Sequence, residues 1–303
     1  MHTRDFIVPP GRPVRLGQMP TDNTPGVKGK AEAPDLLAAS IAALAEQQEK
    51  LYVQDRWSLL IILQALDAAG KDSTIKHVMS GVNPQGVQVT SFKAPSTLEL
   101  DHDYLWRSVI ALPARGTIGI HNRSYYEEVL VARVHPEILA RQQLPDRGSR
   151  ADLWSQRYRQ INDFERFLVE NGTRVLKFFL HVSKDEQAKR LLKRIDDPDR
   201  QWKFSVRDVQ ERARWDDYAR AYEDMLAATS TKLAPWFVIP ADRKWYMQLA
   251  VGEIIVKALQ DLDLRFPPVD DTRRRELAEG RRLLSAETKP SQKGRTSRPK
   301  GQR

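Results

Sequence analysis

The stretch LLIILQALDAAGKDSTIKHV, Leu59–Val78, constrains this chain more than any other. An apolar run suited to a buried strand breaks at Asp67 into two alanines, Gly70, Lys71 and Asp72, and a helical pattern follows. A helix beginning there offers an anion its free N–H groups and the positive end of its dipole. Against the phosphate-loop pattern G-x-x-x-x-G-K-[ST], the frame Ala65–Asp72 has Ala at the first Gly and Asp at the hydroxyl position. Two readings stay open. In one, the backbone of Ala68, Ala69, Gly70, Lys71, Asp72 and Ser73 cradles phosphate. In the other, Gly70 merely eases a turn and Lys71 is solvated. Lysine is the disfavoured sign at a helix N-terminus, which points to an anionic ligand for it to neutralise. Asp67, a carboxylate beside an anion site, makes sense as a ligand of Mg²⁺, directly or through water.

Further apolar runs follow, each trailed by an amphipathic segment. Strands are predicted over Trp57–Leu66, Val87–Lys93, Thr117–Asn122, Arg174–Ser183 and Trp236–Ala241. Helices are predicted over Ala33–Asp55, from about Lys71, and over Thr97–Val109, Ser124–Val134, Asp152–Gly172 and Lys244–Leu262. Asn171-Gly172 is a helix stop, and Ser183 with Glu186 reads as a capping box. Five strands alternating with helices imply an α/β fold, a parallel sheet covered on both faces with its binding crevice at the strands' C-terminal edge.

Residues 1–34 are rich in Pro and Gly, without periodicity, and read as an arm on the surface. Of the 49 Lys and Arg, 11 lie from Arg273 onward against 3 acids, leaving 38 against 37 in residues 1–272. The net charge of +9 is therefore almost wholly a property of the tail, 271–303, whose Pro-, Gly- and Ser-rich end reads as disordered. A nucleic-acid binder would interleave cations with exposed aromatics through its body, so no specific nucleic acid is expected. No apolar run approaches the ~18 residues of a membrane span, and no signal-peptide core opens the chain. The absence of cysteine fits a reducing cytoplasm and removes thiol and disulfide chemistry. His77, His102 and His121 lack metal-ligand spacing.

Asn122 and Arg123 end the third strand, beside the first, where a Walker B Asp would hold Mg²⁺ through water. Asn122 can still accept a bond from such a water. The Arg123 fork suits phosphate oxygens, although Glu127 lies four residues on and can pair with it. Between Lys189 and Arg207 lie seven Lys/Arg and three Asp, with Pro198 breaking the helix. Two helices joined by that basic turn, about 184–215, read either as a lid or as a solvated hairpin. As a lid, its phosphate-binding cations are Arg194, Arg200 and Lys203.

DAAGKDSTIKHVMSGVNPQGVQVTSFKAPS, RSYYEEVLVARVHPE and DPDRQWKFS, in that order, resemble the polyphosphate kinase 2 family over roughly residues 35–270. With Asn122 where many members carry Asp, the chain looks most like the subgroup acting on both nucleoside mono- and diphosphates. The resemblance implies a three-layer phosphate-loop kinase fold with a five-stranded parallel sheet and a helical lid. It implies reversible, Mg²⁺-dependent transfer (Mn²⁺ as substitute) of the terminal phosphoryl of inorganic polyphosphate to AMP or ADP, giving ADP or ATP. Asp67, Lys71, Arg123 and Arg194 become the catalytic set, with Asp67 as the principal metal ligand and Asn122 (through water) and Glu127 as further candidates. Lys93, in an acceptor-side loop, joins the phosphate contacts, and Asn122, Arg123, Glu127 and Arg133 become nucleotide contacts. A homo-oligomer stays open. The rivals are an ATP-dependent kinase of a small metabolite on the same sheet and a nucleic-acid-binding protein.

Overall fold

The computed structural model describes residues 2–142, 144–145 and 152–287. They fall into two compact units that meet between Arg265 and Phe266. In the first, α1 (Ala33–Gln54) leads into β1 (Ser58–Gln64), α2 (Lys71–Val78), β2 (Val87–Ser91), α3 (Thr97–Leu100), α4 (Trp106–Val109) and β3 (Ile118–Asn122). Then come α5 (Glu127–Val134), α6 (Pro136–Ala140), α7 (Leu153–Glu170), β4 (Thr173–His181), α8 (Lys184–Asp196), α9 (Val206–Glu211), α10 (Trp215–Thr229), β5 (Trp236–Pro240) and α11 (Lys244–Gln260).

All five strands are parallel, in the order β2-β3-β1-β4-β5. β1 is central and buried along its whole length, and its residues alternate between two cores. Leu59, Ile61 and Leu63 pack with α1, α2 and α11, whereas Leu60 and Ile62 pack with α5, α7 and α10. A strand buried on both faces has no polar side to alternate with, which is why it reads as one apolar run. Pairing of Leu63 with Asn122 puts the ends of β1 and β3 side by side at one edge.

Helix ends follow local chemistry. α1 stops at Asp55 in a left-handed conformation, φ 51°, and α7 stops before Gly172, φ +86°. The single helix expected over Thr97–Val109 is two short turns. Between them the Asp103 carboxylate accepts from Leu105 N (2.9 Å), a local bond that competes with helix continuation. The box at Ser183 is half formed. Its hydroxyl accepts from Glu186 N (3.1 Å), but the Glu186 carboxylate takes Arg190 Nε (2.8 Å), and Ser183 N donates to Asp242 (2.8 Å).

The N-terminal arm is more than a surface strap. Phe6, Val8, Val14, Leu16 and Val27 are buried, Ile7 forms an antiparallel bridge with Phe237, and Val8 N donates to Trp236 O (2.9 Å). These contacts cover the open edge of β5, and the anchors are spaced too irregularly to show a period. The second unit also departs from the sequence reading. Asp271–Glu287, expected within a disordered tail, form a helix, α12. Pairs three apart, Arg273–Glu276 (2.9 Å) and Arg274–Asp271 (3.1 Å), support it without a core. The rest of the expected tail, 288–303, lies outside the described residues.

Replacing Phe6 by Ala should cost about 3–5 kcal/mol, the range for a core aromatic. Urea unfolding at unchanged m-value should show it. A loss below ~0.5 kcal/mol, as for an exposed residue, would mean that the arm is not anchored.

Candidate functional site

The loop after β1 is built on a strained backbone. Ala68 has φ 62° and Gly70 φ 117°, so two left-handed residues bracket Ala69 and curl the chain. The φ of Gly70 favours glycine, and a Cβ there would also press on Met247 Cε at 3.0 Å. α2 opens at Lys71, and the amides of its first turn precede any intrahelical acceptor. Ser73 and Thr74 turn their hydroxyls back to the Gly70 carbonyl (2.8 and 3.0 Å) and fix the helix start.

Lys71 folds over the loop and donates to the Ala65 carbonyl (3.0 Å). Burial, and then the Arg123 guanidinium, push its pKa below the ordinary lysine value, against the pull of Asp67, Glu127 and Asp72. A phosphate here would relieve both costs. Asn122 donates to Asp72 (2.8 Å), which leaves its carbonyl oxygen buried without a partner. Arg123, also left-handed at φ 64°, reaches Asp67 (2.8 Å) and Glu127 (3.3 Å). Burial works against its charge, but those two carboxylates hold it firmly protonated. The pairing of Arg123 with Glu127 is therefore formed, between the turn after β3 and the first residue of α5.

The segment over the loop is the expected pair of helices, α8 and α9, with a basic turn between them. Arg194 meets Asp208 (3.2 Å), Arg200 meets Asp197 (2.8 Å), and Lys203 lies over the Trp202 ring (4.8 Å). Burial, then Asp67, raise the Asp208 carboxyl, although Arg194 lies against it. Loop, strand ends and hairpin enclose an open crevice of about 1570 Å³. Twelve Lys and Arg line it against four Asp. Asp67, Ala68, Gly70, Lys71, Asp72, Ser73, Lys93, Asn122, Arg123, Arg194, Arg200 and Lys203 all border it. A narrow side cleft beside Arg123 and Glu127 has apolar walls from Leu66, Leu130, Trp215 and Tyr222.

Arg133 is not brought in. It lies at the far end of α5, bonded to Tyr158 (2.7 Å) and Asp224 (2.6 Å), because ten residues of turn and helix carry it away from Arg123. Four site residues escaped the sequence reading. Arg190 is buried and donates to the loop carbonyls of Ala68 (3.2 Å) and Ala69 (2.6 Å) and to Ala241 (2.6 Å) and Asp242 (2.9 Å) after β5. Gln187, one turn earlier, donates to Asp67 O (2.9 Å). Arg243 and Lys244 follow β5 at the crevice edge, and strand-end logic applied to WFVIPADRK would have found them. Burial, then Arg190 and Arg200, lower the Lys244 pKa, a mark of crowded cations.

The sign of the Lys71 shift generates a test. Its folded pKa is depressed, so the unfolded state binds the extra proton and stability rises as pH climbs toward the unfolded value near ~10.4. Lys71→Met should melt no lower than the parent near neutral pH and lack that part of the alkaline gain. Tripolyphosphate should raise the parent's Tm and raise the variant's much less. Equal ligand shifts in the two proteins would remove Lys71 from the anion site.

Comparison with known proteins agrees with this geometry. A family model described as polyphosphate kinase 2 matches residues 28–267. An ADP-polyphosphate phosphotransferase of Rhodopseudomonas palustris is 48% identical over 283 residues, covering 93% of this chain and 98% of its own. An AMP/ADP-polyphosphate phosphotransferase of Meiothermus ruber is 45% identical over 262 residues, 86% and 94% of the two chains. The crystal structure of a polyphosphate kinase 2 from Arthrobacter aurescens TC1 superposes with a TM-score of 0.84 at 43% identity, covering 93% of this chain and 95% of that one. An all-parallel sheet with a phosphate loop after its central strand and a match through nearly the whole first unit lead to one conclusion: this chain belongs to the polyphosphate kinase 2 family.

Proposed function

We propose that this protein transfers the terminal phosphoryl group of inorganic polyphosphate to AMP or ADP, reversibly. The observation that carries the proposal is the crevice itself: twelve cations against four carboxylates, open along its length, at the mouth of the phosphate loop. An ATP-specific pocket needs a few cations around three phosphates, whereas a linear polyanion needs a track. The names of the Rhodopseudomonas and Meiothermus relatives support the same substrates.

The acceptor's nucleophile is a phosphate oxygen, already ionised near neutral pH, so no strong general base is required. Catalysis then rests on positioning and on neutralising charge. The first-turn amides and Lys71 hold the outer phosphates of the donor, and Arg123 stands where charge gathers on the transferred group. Arg194, Arg200 and Lys203, on a hairpin acting as a lid, draw the polymer down and exclude water. The acceptor nucleotide would approach Arg123 from the open crevice, since the side cleft beside Glu127, about 40 Å³ and lined by Asp208, Glu211 and Arg212 as well as by its apolar walls, is too small for a nucleoside.

The donor set fits a hard divalent cation. Asn122, whose side-chain oxygen is buried and unpartnered, bonds Asp72 through its amide nitrogen, and Asp67 stands three residues past the end of β1. Mg²⁺ is commonly held by one or two carboxylates, water and substrate phosphates, so it needs no all-protein cage, and Mn²⁺ is the alternative. Asp67, and Asn122 through water, would hold it, with Glu127 as a further ligand. Bound there, it would neutralise phosphate charge. No helix of the described residues is long and apolar enough to cross a membrane, and a cytoplasmic setting fits the nucleotide substrates.

Purified protein with Mg²⁺, long-chain polyphosphate and AMP should yield ADP and ATP, followed by chromatography. Transfer from ATP to a small metabolite, with none from polyphosphate, would replace this reading with the metabolite-kinase one. Steady-state kinetics at two salt concentrations then resolve the lid. Arg194→Ala should lower mainly kcat, and Lys203→Ala should raise mainly the polyphosphate KM, with affinity for long chains falling steeply in salt. Changes within about twofold in Arg194→Ala, Arg200→Ala and Lys203→Ala alike would make the hairpin a solvated surface.

A further inference from the structure

We infer that the buried pair Lys177–Glu165 is a positioning device for Arg123, acting through Tyr125 and Tyr126. The inference rests on the assignment of Arg123 to phosphoryl transfer. Lys177 stands in β4 among Val175, Leu176, Phe178 and Phe179, and neither it nor Glu165 on α7 meets solvent. Removing two charges from water is so costly that apolar residues of similar volume often serve stability equally well. Stability alone therefore gives little reason for an ion pair in the middle of a core.

What the pair touches gives a better one. Lys177 Nζ has three protons and three acceptors: Glu165 Oε2 (2.6 Å), the Thr229 carbonyl (2.7 Å) and the Tyr126 hydroxyl (3.0 Å). Glu165 Oε1 accepts from both tyrosines, Tyr126 at 2.7 Å and Tyr125 at 2.9 Å. Tyr126 is further held edge-on against Trp236 (4.8 Å), whose indole N–H donates to Thr229 (2.9 Å). Every polar group of the pair is satisfied, and the network converges on two neighbouring residues of one turn.

That turn runs from Arg123 to Tyr126 and delivers Arg123 to the crevice. Arg123 takes a left-handed backbone that an L side chain resists, and such a conformation persists only where its surroundings over-determine it. Upstream, Arg123 N is pinned to Leu63 O (3.1 Å). Downstream, Ser124 Oγ accepts from Tyr126 N (3.2 Å), and both phenols are locked to Glu165. Phenylalanine would fill the same space, but only a hydroxyl on a fixed acceptor sets the depth of the turn. Glu165 and Lys177 thus act on Arg123 from inside the core, on the face of the sheet that packs α5, α7 and α10, and line no part of the crevice.

The test is a double-mutant cycle on full-length protein, with polyphosphate and ADP as substrates. Tyr125→Phe/Tyr126→Phe should still melt in one cooperative step. Its kcat should fall about tenfold, with the polyphosphate KM within about twofold of the parent's. Arg123→Ala should cost the parent about a hundredfold or more, but only about tenfold further in the Phe/Phe background, because part of what Arg123 contributes is already lost there. The single variant Tyr126→Phe carries the same cycle if the double variant does not fold, and Glu165→Leu/Lys177→Met should reproduce its pattern. Parent-like kcat in a folded tyrosine variant, or an equal Arg123→Ala factor in both backgrounds, overturns the positioning role alone. A harmless Arg123→Ala in the parent overturns the assignment of Arg123 to transfer, and this inference with it.

Discussion

The guanidinium of Arg190 is the interaction on which the site depends. Four carbonyl oxygens from two segments that follow different strands converge on it, while its Nε is held by Glu186. Carbonyls in a strained loop cannot pair with one another, because the loop's amides must face the anion. A single buried side chain with five donors satisfies them from behind. The same residue belongs to α8, the first helix of the hairpin. The hairpin's root and the loop's floor are therefore one structure, and the tip beyond Pro198 lies outside that brace.

Much of this was legible in the sequence, for reasons that can be stated residue by residue. β1 and most of β4 are buried on both faces, so each reads as a run. Asp67, Gly70, Lys71, Asn122 and Arg123 were singled out because a cation at a helix start and a polar pair ending an apolar strand point to an anionic ligand, and all five border the crevice. Arg190 was missed because its spacing from Glu186 reads as a surface pair on an exposed helix, whereas the guanidinium is buried under the loop. Lys177 was read only as part of a strand, since its partners come from α5, α7 and α10 and have no signature within β4. Arg133 was drawn in by its neighbours in sequence, though α5 carries it out of reach. The arm's anchors, from Phe6 to Val27, follow the edge of β5 rather than any period of their own.

Charge is distributed to match this division of labour. Residues 1–272 are nearly neutral in sum, yet twelve cations face one crevice, so the compensating acids lie elsewhere on the surface. Burial and, after it, mutual repulsion of those cations are standing costs, visible in the lowered pKa of Lys71 and Lys244. A polyanion removes the repulsion. Binding energy gained by relieving repulsion along a track is shared among many phosphates, which favours grip on a chain over grip on any single group.

Such a track would hold the donor without choosing where it reacts. Selection has to come from groups that contact one phosphoryl only, and these lie where backbone strain is concentrated. Ala68 and Gly70 on one side, and Arg123 on the other, hold left-handed conformations at the facing ends of β1 and β3. Strain at both ends of a crevice is tolerable only if each end is braced from inside the fold, and each is: the loop by Arg190 and Gln187, the Arg123 turn by Glu165 and Lys177. The two braces reach the edge from different helices, α8 and α7, on elements joined by β4 alone. In the proposed reaction the braced strand ends would fix the reacting phosphoryl and the basic hairpin would grip the polymer, so registration and grip would be properties of separate parts of one fold.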